Sequence, residues 1–367
     1  PTGIRFARAA RMRKYALLIA LFTFPMIGCL PPLNDGSPGS GSDGGSTTTP
    51  KGDMAGPGGQ GADQGGTPGT GVSGTITTDT TWSGQVNVSG AVTVGSGVTL
   101  TVSSGALVSI SAGADIHIQG SLVAAGTSTS PVLFQSVQQG TAWGSLLVES
   151  GGSIDLTYAD IEYANVPISC ATGAVKCTAD HTKLEHFSGQ GMMIATSATF
   201  THMDVELGGS DGISFQGSAG QTVTITDSIF HSTGGDAIVS DGAGNLTFQY
   251  NHVYGNGGAA PGQHCACHFD STGTFTVDHN LFEKSSVGFM ASQMNAQSKV
   301  NYNNYENNQA IYSPASGNIS ASADLSHNYW GTPTPPTIPN NTSNQGADGS
   351  AYYSTPIVAP TQIGPRP

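Results

Sequence analysis

The sequence predicts an all-β fold, a parallel β-helix solenoid of about eleven coils. Three observations predict it. A short apolar–polar pattern returns eight times between Leu156 and Trp330, at steps of 23, 21, 25, 23, 29, 23 and 25 residues. A further short apolar run lies between successive copies. Gly supplies 52 of 367 residues and only 10% of residues are charged, which disfavours helix because each helical Gly costs about 1 kcal/mol. A repeat of this length is a unit that hides its apolar face only by stacking on its neighbours.

The elements follow from laying the copies in columns, with Ala159, Thr182, Met203, Ser228, Asn251, Asn280, Asn303 and Asn328 as position zero. Position −3 (Leu156, Ala179, Phe200, Ile225, Phe248, Val277, Val300, Leu325) is apolar throughout, as is position +2 (Ile161, Leu184, Val205, Phe230, Val253, Phe282, Tyr305, Trp330). Both columns must face inward, and the period of two places −2 and +3 outward. Position zero is a bend between two strands. Asn tolerates left-handed backbone angles there, so Asn251, Asn280, Asn303 and Asn328 should form a ladder joining coils. Third strands are expected around Ile213, Ile238, Phe289 and Ile311. Three strands per coil give a triangular section, with coils about 4.8 Å apart.

The remaining segments divide the chain into a signal peptide (1–28), a linker (29–71), the β-helix (72–335) and a tail (336–367), with Met12 as an alternative start. Arg13-Lys14, the apolar run Tyr15 to Phe24 and Met26-Ile27-Gly28-Cys29 read as an export signal too short to span a bilayer. Residues 30–71 are Gly, Ser, Pro, Thr and Asp, with too few apolar side chains to offset ordering entropy, and should form a tether. Residues 1–29 carry five of the 11 basic residues and none of the 24 acidic ones, so removing them leaves a formal charge of −18. No Arg lies between Arg13 and Arg366. Nucleic acid is excluded as a partner on this charge.

The Met26–Cys29 box resembles the bacterial lipoprotein signal, which implies lipid attachment at Cys29, a membrane anchor and a cell-envelope location. Leu30 after it implies outer-membrane sorting, by resemblance to enteric lipoproteins. The coils resemble right-handed parallel β-helix proteins of the pectate-lyase-like superfamily. Val98–Val102, Gly120–Thr127, Trp143-Gly144 and the closing Asn328-Tyr329-Trp330-Gly331 carry that resemblance, which covers about residues 72–335. It implies a right-handed helix but no one function, since the fold hosts lyases, hydrolases, epimerases, adhesins and spacers. The Arg or Lys base of its lyases has no recognisable equivalent here. Nor do the Gly-His-Gly and Arg-x-Lys elements of its hydrolases.

Four groups of residues invite chemistry. Glu162, Glu185 and Glu206 at position +3 should stand about 5 Å apart, as an acidic stripe for calcium or sugar, or merely a solvated face; Asp160, Lys183 and Asp204 lie beside them. Position −1 contains His181, His202 and Asp227, a metal set if they point outward together, or a stacked structural column. Cys170 and Cys177 can pair locally in an oxidising envelope, or pack as thiols. His264-Cys265-Ala266-Cys267-His268 sits in the longest coil. In a regular strand its cysteines and histidines face opposite ways, so metal binding needs a protruding loop; a Cys265–Cys267 bridge and packed thiols are the alternatives. The resulting expectation is a non-catalytic envelope lipoprotein with surface, structural or glycan-binding roles and no required cofactor, calcium aside. A carbohydrate-active enzyme using the acidic stripe is the alternative.

Overall fold

The computed structural model describes residues 71–258, 264–313, 318–319 and 323–331. Cys29, the linker 30–70 and the tail 336–367 lie outside them. Among the described residues there is no helix. Each turn is built from three short strands, as in Thr222–Thr226, Ile229–His231 and Ile238–Ser240. Each strand pairs in parallel with its equivalent one coil away, for example Thr222–Thr226 with Asn245–Gln249. The first strand column forms a sheet of ten strands. Among the described residues an eleventh level is marked by the Lys299–Asp324 and Asn304–Tyr329 bridges. The other two columns merge into one sheet, because the long strand Gln85–Val94 rounds a corner and pairs with both Leu107–Ile110 and Ile116–Ile118.

Alternation decides which side chains enter the core. In Thr222–Thr226 the two apolar residues Val223 and Ile225 are buried while the threonines face out. Every residue of columns −3 and +2 is buried, at most 2% exposed, so the copies stack in one register without a slip. The resulting core runs from Trp82 to Trp330 as a single cluster. Each large side chain buried in it contributes roughly 1.5–3 kcal/mol. Phe282, Tyr305 and Trp330 stack along the axis at 4.9 and 4.6 Å.

The corner differs from the sequence expectation. The left-handed residue is at position −1, not zero. Tyr158, His181, His202, Asp227, Tyr250, His279, Tyr302 and His327 all have φ between 46° and 58°. Position zero lies just past the corner and points inward, where Asn251, Asn280, Asn303 and Asn328 are fully buried. Their amides span three coils. Asn280 Nδ2 donates to Phe248 O at 2.8 Å in the coil before and to Asn303 Oδ1 at 2.9 Å in the coil after.

A second corner went unread in the sequence. Position +4 is also left-handed, in Tyr163, His186, Leu207, Ser232, Gly255, Lys284 and Asn307. In the later coils a buried polar residue follows it, as at zero. Thr233 N donates to Asn256 Oδ1 at 3.1 Å, and Ser285 N to Asn308 Oδ1 at 3.0 Å. The column mixes Ala164, Phe187, Gly208, Thr233, Asn256, Ser285 and Asn308, so no single residue type advertises it.

Cys170, closing Ala164–Cys170, is disulfide-bonded to Cys177 in Lys176–Asp180, across the turn into the next coil, with Cα atoms 6.5 Å apart. The 29-residue step places its extra length between His252–Tyr254 and Cys267–Asp270.

Candidate functional site

Two outward faces concentrate titratable groups. On the second strand column, parallel pairing sets Glu162 opposite Glu185, Glu185 opposite Glu206, and Glu206 opposite His231. The same register puts Lys183 between Asp160 and Asp204. The stripe is therefore a mixed-charge ladder. Lys183 Nζ contacts Glu185 at 2.6 Å and Glu206 at 2.8 Å. His231 Nε2 lies 3.1 Å from Glu206 and 3.4 Å from Asp204. Farther along, His252 Nε2 meets Glu283 at 3.0 Å.

The Asp160 end lacks that compensation. Its Oδ1 is buried without a hydrogen-bond partner. Burial, then the charges of Glu185 and Glu162, push its carboxyl up to about 7. Burial and Glu185 also raise Glu162. Asp160, Glu162 and Glu185 each bring an oxygen within 4.8 Å of the others, the donor type that suits a hard cation such as calcium.

At the −1 corner the histidines stack, and Asp227 does not join them. The ring centroids of Tyr158, His181 and His202 are 4.5 and 4.2 Å apart. Asp180, from position −2, takes the role expected of Asp227: it contacts His181 Nδ1 at 3.0 Å and His202 Nδ1 at 2.8 Å. Burial works against the Asp180 carboxylate, but hydrogen bonds from Thr201, His202 and His181 outweigh it and hold it below the usual range. Near-parallel rings direct their in-plane nitrogens side by side, a poor geometry for converging on one ion. Tyr250, His279, Tyr302 and His327 continue the column in later coils at 5.0, 5.7 and 5.0 Å. Stacking also covers the ring faces, leaving edges toward solvent.

The third column carries the other cluster. His264, Cys265, Cys267 and His268 do not converge as a foursome. Cys267 turns into the core and donates to Gly288 O at 3.4 Å. Cys265 is buried apart from that core, against Val287 and Met290. Both thiols are free, which rules out the Cys265–Cys267 bridge. Burial first, and then the charge of Asp236, raise both thiols well above their ordinary range. The residue that gathers the others is Asp236, one coil earlier and only 5% exposed. Its oxygens lie 3.4 Å from His264 Nδ1 and 3.3 Å from His268 Nδ1, and one accepts the Cys265 backbone N–H. Asp211 lies one coil earlier again, its Oδ1 accepting the Asp236 N–H at 2.9 Å. The same strand column, two coils back, holds a cavity of about 150 Å³ lined by Met193, Ser214 and Gln216.

Comparison with known proteins agrees with this architecture. A family model described as "Right handed beta helix region" matches residues 122–282 and again residues 168–355. The two matches overlap over residues 168–282, as one repeat pattern aligned in two placements does. No curated protein and no solved structure matches the chain.

Proposed function

The chain belongs to the right handed beta helix family, and from that premise we propose that it is a non-catalytic lipoprotein of the bacterial cell envelope, displaying the solenoid as a glycan-binding scaffold. One observation carries this reading: three of the ladder's carboxylates, Glu185, Asp204 and Glu206, are already engaged by Lys183 and His231. Paired in this way, Glu185, Asp204 and Glu206 serve poorly as acid or nucleophile. They still offer a row of acceptors, one coil apart, for sugar hydroxyls. Support for the anchor is the signal ending at Cys29 and the tether after it. The outer membrane is the destination that Leu30 favours.

The test is incubation of the purified protein with a panel of polysaccharides, with and without calcium, following both binding and chain length. Binding without cleavage, weakened by the double substitution Glu185→Gln/Glu206→Gln, is expected. Chain cleavage refutes the non-catalytic reading, and absence of binding to every glycan refutes the glycan role. Labelling with a fatty acid in a bacterial host should be lost in Cys29→Ser.

A second reading, glycoside hydrolysis, is favoured by Asp160 alone. A carboxyl held protonated near neutrality beside another carboxylate is the pairing such chemistry requires. Cleavage abolished by Asp160→Asn would establish it.

A further inference from the structure

We propose that Asp236, Cys265 and His268 form a binding site for a divalent transition metal of the zinc class, with His264 and Asp211 as its supporting shell. The site is separate from the carboxylate ladder, on a different strand column. An Asp oxygen, the Cys265 sulfur and a His268 ring nitrogen all lie within 4.8 Å of one another. Carboxylate, thiolate and imidazole together suit zinc and its neighbours rather than calcium or magnesium.

Spacing and charge support this assignment. Donors bound at about 2.0–2.3 Å around a tetrahedral ion stand roughly 3.3–3.7 Å from each other. The Asp236–His268 hydrogen bond of 3.3 Å falls there, so the two donors can share an ion without moving apart. His264, at 3.4 Å from the Asp236 Oδ1, is placed to orient that carboxylate from the second shell. Among the described residues, Lys176, Lys183 and Lys284 make their ion pairs elsewhere, Lys299 lies in the first strand column, and no Arg exists between Arg13 and Arg366. Asp211, Asp236, Asp241 and Asp270 are thus balanced on this face by His264 and His268, and a dication supplies the missing charge.

Where the long coil spends its extra residues decides which side chains meet. The six residues by which this step exceeds 23 fall before the third strand, and the pairing of Ile238 with Cys267 then brings Cys265 level with Asp236. Binding exchanges the Cys265 S–H proton for the metal, and the proton leaves to solvent.

The experiment is titration of the chelator-treated full chain with Co²⁺, without added reductant, followed by competition with Zn²⁺. The expected result is a thiolate-to-cobalt charge-transfer band saturating at one equivalent, with the visible bands of a four-coordinate ion, both displaced by Zn²⁺. Cys265→Ser should abolish the charge-transfer band and Cys267→Ser should retain it. His264→Gln should weaken binding about 10–100-fold, as loss of a supporting residue does. Absence of the band in the unaltered protein overturns the proposal whatever the variants do. So does a band that survives Cys265→Ser or vanishes in Cys267→Ser with its circular dichroism unchanged.

Discussion

Asn280 and Asn303 are joined twice through one atom. Asn303 Oδ1 accepts the Asn280 side-chain amide at 2.9 Å and the Asn280 backbone N–H at 3.0 Å. Asn280 Oδ1 receives the same pair of bonds from Asn251. Each rung therefore satisfies backbone and side-chain donors of its neighbour. Asn280→Ala would strand the buried Asn251 N–H, remove one of the two bonds of the Asn251 amide (the other, to Ile225 O, remains) and take a donor from the Phe248 carbonyl. Since each buried unsatisfied group costs about 1–3 kcal/mol, a loss of about 3 kcal/mol is expected in urea unfolding.

Leu207 offers a change in the opposite direction. Its φ is 54° and its side chain is 45% exposed, so it carries backbone strain with little packing in return. A left-handed non-Gly residue costs roughly 1–2 kcal/mol, part of which is returned when Gly loses its extra unfolded freedom. Leu207→Gly should stabilise by about 0.5–1 kcal/mol, visible as a raised Tm.

Asp160 should shape the pH dependence of stability. Burial, Glu185 and Glu162 raise its folded pKa to about 7, above an unfolded value near 3.8. Between those values the folded state binds more protons, so its contribution is present at low pH and is lost as pH rises through about 7. Asp160→Asn should remove that slope. Relative to the unaltered protein it should gain about 2–3 kcal/mol on going from pH 5 to pH 8. Paired urea titrations at the two pH values check this, and equal differences at both would refute it.

Lys183 is the cation on which the ladder depends. Replacing it with Met leaves Glu185 and Glu206, both largely buried, facing each other without their shared partner. Breaking a buried pair from one side costs about 3–5 kcal/mol, and a partly solvated one less. A loss of about 2 kcal/mol is expected for Lys183→Met. Removing all three members, Lys183→Met with Glu185→Gln and Glu206→Gln, should recover part of it, measured in the same unfolding assay.

The disulfide closes a short loop, with Cys170 and Cys177 seven residues apart. Chain-entropy arithmetic gives about 2 kcal/mol for such a loop. Cys170→Ala/Cys177→Ala should lower stability by about that amount while leaving the Co²⁺ charge-transfer band of Cys265 intact.

The coil is legible along the chain because its information is local and repeated. Alternation at Thr222–Thr226 and apolar columns at −3 and +2 specify strands, their inner face and their register, and no distant contact is needed to read them. The buried Asn column was legible for the same reason, although its backbone angles were assigned one residue late. What the outward residues meet depends instead on the stacked coils. The second corner at position +4 is occupied by seven different residue types, united by φ rather than by chemistry. Lys183 meeting both Glu185 and Glu206 depends on how a long side chain bends across coils. Asp236 meets Cys265 and His268 because six residues of the long step are spent before the third strand, and a count along the chain cannot say where an irregular coil spends them. Burial patterns are written in every repeat, whereas a site made where the repeat breaks exists only once the chain has closed around it.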